Sequence, residues 1–173
     1  MRAAETPSPT PANENCGCEP FTKVVKDVEK FNICVARANK IGPLTTPRRI
    51  YDLISQEIIN KTHEEFYVLG IGAHGALEGK LVCYARVAQG GQHKVEIEVE
   101  QIAQVLLADR PDVYILVHGH PGDDAEPSES DIKLTDNLKA GLAKACPKII
   151  FGDHLVIAQH SFYSFAEEKK FKV

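Results

Sequence analysis

The run of elements in this 173-residue chain predicts an α/β domain, a mixed β-sheet with helices packed against it. Three features carry that expectation. "DVYILV" at Asp112–Val117 is a continuous apolar run of β-formers, which reads as a buried central strand. "EFYVLGIGAHGALEGKLVCYARVA" reads as two strands joined by a turn through Gly72 and Gly75. "PRRIYDLISQEIINK" carries Ile50, Leu53, Ile54 and Ile58 at helical spacing.

Taken in order, residues 1–20 are rich in Pro, Ala, Ser and Thr and are expected to form a disordered tail. Phe21–Ala38 alternates loosely and is expected to supply one or two strands. Thr46 should cap the first helix with Pro47 at its first position, and that helix should end near Lys61. "KVEIEV" is a further alternating segment, and "EQIAQVLLADR" a helix closed by Pro111. After the central strand come a helix from Ser128 to about Ala145 and strands in "KIIFGDHLVIA" and "SFYSFA". A single domain is therefore expected over 21–166, with a charged C-terminal tail over 167–173.

Composition narrows the function classes. The formal net charge is −4, and the one basic cluster is Pro47–Arg49, so specific nucleic-acid binding is not expected. No apolar run approaches the roughly 18 residues that cross a bilayer, and the N-terminus lacks a signal-peptide core, so a cytoplasmic, membrane-free location is expected. Cysteines stand at 16, 18, 34, 83 and 146, an odd number, as suits reduced thiols. No second close pair completes Cys16-Gly-Cys18 as a metal site, and Cys34 and Cys83 lie in apolar runs that place them in the core.

The chemistry concentrates in "VHGHPGDDAEPSESD", Val117–Asp131. Residues two apart on a strand point to the same side, so His118 and His120 project together from the end of the central strand. Pro121 stops further pairing, the loop 122–127 turns the chain back, and Asp131 enters in the first turn of the next helix. Two imidazoles and a carboxylate suit a borderline cation such as zinc, and three protein ligands leave a fourth position for water. Ser128-x-x-Asp131 is equally a capping box, and a cap can position a ligand.

At these residues the chain resembles a known family. "HGHPGDDAEPSESD" is similar to the JAMM signature of JAB/MPN metalloproteins: His-x-His-Pro, a spacer, then Ser-x-x-Asp. The context looks most like the RadC-like branch. "PSESDIKLTDNL" resembles its Pro-Ser-x-x-Asp-Ile-x-x-Thr run, and "GDHLVIAQHSFYSF" its closing Asp-His-x-Ile and Tyr-Ser-Phe. The resemblance spans about Ile41 to Phe165. It implies a JAB/MPN-like (cytidine-deaminase-like) fold, a curved mixed sheet flanked by helices. It also implies one zinc ion per chain on His118, His120 and Asp131, with water as the fourth ligand. A glutamate ahead of an early strand would be the general acid/base, and Ser128 would steady a tetrahedral oxyanion. "THEEFYVLGI" resembles Glu-x-Phe-x-x-Leu-x-Leu, which puts the catalytic position on Glu64 and turns Glu65 elsewhere. His154, in "GDHL", is expected to bond locally or pack at a strand start, with Asp153 orienting it; a supporting role near the metal is the alternative.

The chain departs from the branch at three places. Gly119 stands where Asn is usual between the histidines, "VEIEVE" replaces His-Pro-Arg-Glu before the middle helix, and a helix-hairpin-helix region is not expected ahead of the domain. None removes a ligand. The function so implied is a zinc-dependent metallohydrolase, a JAMM-type peptidase or isopeptidase. In it a zinc-bound water activated by Glu64 hydrolyses an amide bond in a protein or peptide, ubiquitin-like conjugates included. The alternative is a non-catalytic or DNA-associated RadC-like module in repair or mobile-element biology. A two-His-one-carboxylate iron oxygenase would leave Glu64 and Ser128 without work.

Overall fold

A computed structural model describes residues 28–59, 61–89 and 97–173; the expectations for the N-terminal tail, Cys16 and Cys18 included, lie outside them. Among the described residues four α-helices, α1 (Val28–Ile41), α2 (Pro47–Ile58), α3 (Val99–Asp109) and α4 (Glu129–Ala145), accompany six strands. The strands are β1 (Glu65–Ile71), β2 (Leu81–Gln89), β3 (Val113–Gly119), β4 (Ile150–Ile157), β5 (Ser161–Ser164) and β6 (Lys169–Lys172). They form one sheet in the order β2-β1-β3-β4-β5-β6. β3 is antiparallel to β1 and parallel to β4, so the sheet is mixed, as expected.

The two-residue period of the strands sorts the core into two layers. Tyr67, Leu69 and Ile71 of β1, Ile115 and Val117 of β3, and Leu155 and Ile157 of β4 pack with α1 and α2 on one face. Phe66, Val68, Tyr114 and Leu116 pack with α3 and α4 on the other. "DVYILV" is apolar throughout because β3 is covered on both sides. α2 begins as expected: Pro47 opens it and the Thr46 hydroxyl accepts from the Arg49 backbone N–H at 3.4 Å. It ends at Ile58, short of Lys61.

Three expectations are corrected. The described part of the segment read as strands, Val28 onward, is helical: Phe31, Cys34, Val35, Ala38 and Ile41 recur at helical spacing and face the α2 side of the core. In "KVEIEV", residues 94–96 lie outside the described set, and the rest is not a strand. Val99 starts α3 and packs against Gly141 of α4. The C-terminal charged segment contains β6, whose Phe171 stacks on Phe162 of β5 at 4.7 Å while its lysines mark an exposed sheet edge. Cys34, Cys83 and Cys146 are buried.

Gly119 has a packing reason. It points to the α2 face, where a Cβ would stand 2.5 Å from Ile58 Cγ2. Helix α2 thus fills the space that a side chain between the two histidines would need. Gly119→Ala should lower stability by about 1–3 kcal/mol in urea unfolding. Combined with Ile58→Ala it should cost less than the two changes summed, because they share one contact. Simple additivity would remove this explanation.

Candidate metal centre

His118 is the penultimate residue of β3, paired with Phe66 of β1, and only 5% exposed. His120 extends the strand, its backbone N–H donating to the Ile157 carbonyl at 2.8 Å. Both rings emerge on the α4 side, their centroids 4.7 Å apart and their planes perpendicular. Glu64 lies two residues before Phe66, and its Oε2 stands 3.7 Å from His118 Nε2, with the side chain 60% exposed. Glu65, one residue on, is buried on the opposite face, where it accepts from the Tyr67 hydroxyl at 2.5 Å and from Arg86 at 2.9 Å.

Asp131 arrives on the first turn of α4 and is fixed there by Ser128. The Ser128 backbone N–H and hydroxyl both donate to Asp131 Oδ2, at 2.7 and 2.6 Å, and the Asp131 N–H donates back to Ser128 Oγ at 3.2 Å. This is the anticipated capping box. Its effect is to aim a buried carboxylate at both imidazoles: Oδ1 is 3.6 Å from His118 Nδ1 and Oδ2 is 3.5 Å from His120 Nε2. The connecting loop is held as well. Ala125 is buried beside Val156 and Ala158, the Ser161 hydroxyl donates to the Asp123 carbonyl, and Lys170 of β6 pairs with Asp124 and Glu126 at 2.9 and 3.1 Å. That loop places the Asp124 carbonyl 3.2 Å from His120 Nδ1. With the ring proton there, the Nε2 lone pair faces Asp131.

The electrostatics follow from these contacts. The facing His118 imidazole holds the Glu64 carboxyl below its ordinary range. Burial pushes Asp131 up, but the facing His120 imidazole and the hydrogen bonds from Ser128 more than offset it and leave the group far below the usual carboxylate range. The Asp131 carboxylate raises His120 against the opposing effect of burial.

The four groups suit a cation. One ligand atom each from Glu64, His118 and His120 lie within 4.8 Å of one another, and Asp131 touches both rings. Donors about 2.0–2.2 Å from a tetrahedral ion stand roughly 3.3–3.6 Å apart. The Asp131 carboxylate stands 3.6 Å from His118 Nδ1 and 3.5 Å from His120 Nε2, close to that spacing and long for charge-assisted hydrogen bonds, whereas Glu64 faces the other His118 nitrogen, Nε2, at 3.7 Å. His118 Nδ1 is also buried without a hydrogen-bond partner, an unmet donor–acceptor site that a metal ligand set accounts for.

Sequence reasoning singled out Glu64, His118, His120, Ser128 and Asp131, and the structure brings all five to this corner. It named no function for Thr135 and gave His154 a local bond or strand-start packing, with a supporting role near the metal as the alternative. Thr135 Oγ1 lies 2.6 Å from the Asp131 carbonyl and 2.7 Å from His154 Nδ1, and both residues are buried. Burial pushes the His154 imidazole down to about 3, so the ring is neutral. The spacing Asp131-x-x-x-Thr135, one helical turn, was the available signal; the approach of β4 left none.

A family model described as the RadC-like JAB domain matches residues 44–170. Among curated proteins, a UPF0758 protein of Methylibium petroleiphilum is 31% identical over 122 residues, 70% of this chain and 52% of that protein. One from Leptothrix cholodnii is 30% identical over 122 residues, with the same two shares, 70% and 52%. One from Flavobacterium johnsoniae is 27% identical over 129 residues, 75% of this chain and 54% of its own length. The chain thus spans about half the length of the curated relatives it matches.

Proposed function

The chain belongs to the RadC-like JAB domain family, and from that premise we propose that it is a zinc-dependent hydrolase of amide bonds, acting on a protein or peptide. His118, His120 and Asp131 are the residues that hold the ion, and Glu64 is the general acid/base. The single observation that carries this division is the contrast between the two carboxylates. Asp131 is buried and locked by Ser128, as a ligand needs, whereas Glu64 is exposed at the mouth, where water and substrate arrive.

Zinc, when bound, supplies an acidified water and a Lewis acid for the scissile carbonyl. Glu64 takes the proton from the attacking water at its carboxylate and hands it to the leaving amine. Ser128, exposed beside Asp131, would donate to the developing oxyanion. The direct experiment is to offer the zinc-loaded protein peptide and isopeptide-linked fluorogenic substrates. Chelator-sensitive release of an amine is expected, and an absence of cleavage across both classes in zinc-loaded protein would overturn the reading.

No specific observation favours the DNA-associated reading. The arginines that suggested it have other partners: Arg48 Nε bonds Asp52 at 3.0 Å and Arg49 donates to the Pro43 carbonyl at 2.7 Å. Among the described residues no helix is long and apolar enough to cross a membrane.

Acid should weaken metal binding in a defined direction. The raised His120 value means that the metal-free ring keeps its proton to higher pH than an ordinary imidazole. Metal must displace that proton, so apparent affinity should fall as pH drops, starting above about 6.5. Asp131, held low, stays ionised throughout this range. Chelator competition measured from about pH 8 down to about pH 5.5 checks this; a flat profile would contradict it.

A further inference from the structure

The position of the Asp131 carboxylate depends on where α4 begins, and one buried hydroxyl ties that first turn to the sheet. Thr135 is 2% exposed and lies one turn after Asp131. Its hydroxyl donates to the Asp131 carbonyl at 2.6 Å and lies 2.7 Å from His154 Nδ1. A hydroxyl carries one proton. With that proton given to the carbonyl, the one between Thr135 and His154 belongs to Nδ1, and Thr135 Oγ1 accepts it.

His154 is built to be immobile. It sits on β4, next to the strand that bears His118, and is 0% exposed. Its backbone N–H donates to Asp153 Oδ1 at 2.7 Å, and Asp153 also accepts from the Ser164 hydroxyl at 2.6 Å and the Ala166 N–H at 2.9 Å. Its ring stacks on Phe165 at 4.9 Å and 8°, and Phe66 stands 5.4 Å away. The ring lies 6.1 Å from that of His118, within 26° of parallel. Local strand packing needs none of these polar arrangements. A fully buried imidazole aimed at a threonine of the facing helix calls for another reason.

We infer that Thr135 and His154 are a positioning pair for the candidate metal centre. His154 Nδ1–H holds the Thr135 hydroxyl, the hydroxyl holds the Asp131 backbone, and the first turn of α4 is thereby set at the distance from β3 at which the carboxylate meets both imidazoles. Neither residue is a ligand. The inference rests on the metal-binding reading of the site and adds the buried pair that sets its geometry.

Two substitutions separate the hydroxyl from the packing. Thr135→Val is nearly isosteric and removes the hydroxyl, while Thr135→Ser keeps the hydroxyl and removes a methyl. Zinc affinity, read by competition with a chromogenic chelator, should weaken about tenfold in Thr135→Val. It should stay within about twofold of wild type in Thr135→Ser. Wild-type affinity in Thr135→Val, or equal losses in both variants, would overturn the inference and leave the proposed function standing. A wild-type chain that takes up no zinc would overturn the proposed function and this inference with it. Nitrogen-15 correlation of the wild-type histidine rings gives an answer that needs no variant. A slowly exchanging proton on His154 Nδ1 is expected, and a proton on Nε2 would contradict the pair.

Discussion

Glu64→Gln should keep its metal and lose turnover by a factor of about 10²–10⁴, the usual contribution of a positioned general base. The substitution preserves shape and removes the proton-accepting oxygen. Glu64 is 60% exposed on its side chain and contributes nothing to the core, so folding should be untouched. Metal content should also be unchanged, because Asp131 meets both imidazoles without Glu64. Parallel measurements of zinc per chain and of kcat make the result decisive. Full turnover would remove Glu64 from the chemistry. Loss of metal in Glu64→Gln would instead make it a ligand, as its convergence with His118 and His120 permits.

Ser128→Ala should lower kcat at saturating zinc by about 10²–10³, the cost of one oxyanion donor. The structure gives this residue a second role. Its hydroxyl is the N-cap of α4 and is spent on Asp131 in the free site, so the same substitution should also lower stability by about 0.5–2 kcal/mol. The two effects separate experimentally. Loss of the cap appears in urea unfolding and in zinc affinity, whereas loss of the oxyanion contact appears in kcat once the metal is saturating. A variant with weaker zinc binding but wild-type kcat when loaded would confine Ser128 to orienting Asp131.

The site was legible in the sequence because its parts are local. A buried strand, two histidines in alternation, a proline stop and a capped helix follow one another within Val113–Asp131, and each local rule puts its side chain on the same side. The same alternation explains why adjacent glutamates part company: Glu64 shares the face of Phe66 and His118, and Glu65 turns toward Tyr67 and Arg86.

What escaped was non-local or ambiguous in period. The segment around Cys34 and Ala38 fits a loose alternation as well as a helix, and the decision came from packing against α2. Lys169–Lys172 reads as a charged tail because an edge strand needs few apolar residues, and Phe171 alone announces its inward side. His154 lies 34 residues beyond His120, on a parallel strand whose neighbour was not evident from the sequence. Gly119 read only as a departure from the usual Asn. Its actual constraint, Ile58, comes from a helix that the strand meets only in three dimensions.

Catalysis at this corner of the fold requires that these side chains hold an ion. Protein purified without chelator should carry about one zinc per chain, and His120→Ala should carry far less, since one of the three proposed ligands, the imidazole facing Asp131 Oδ2, is gone. Equal zinc in the two proteins, or none in the wild type after exposure to it, would contradict the metal centre and the catalysis built on it.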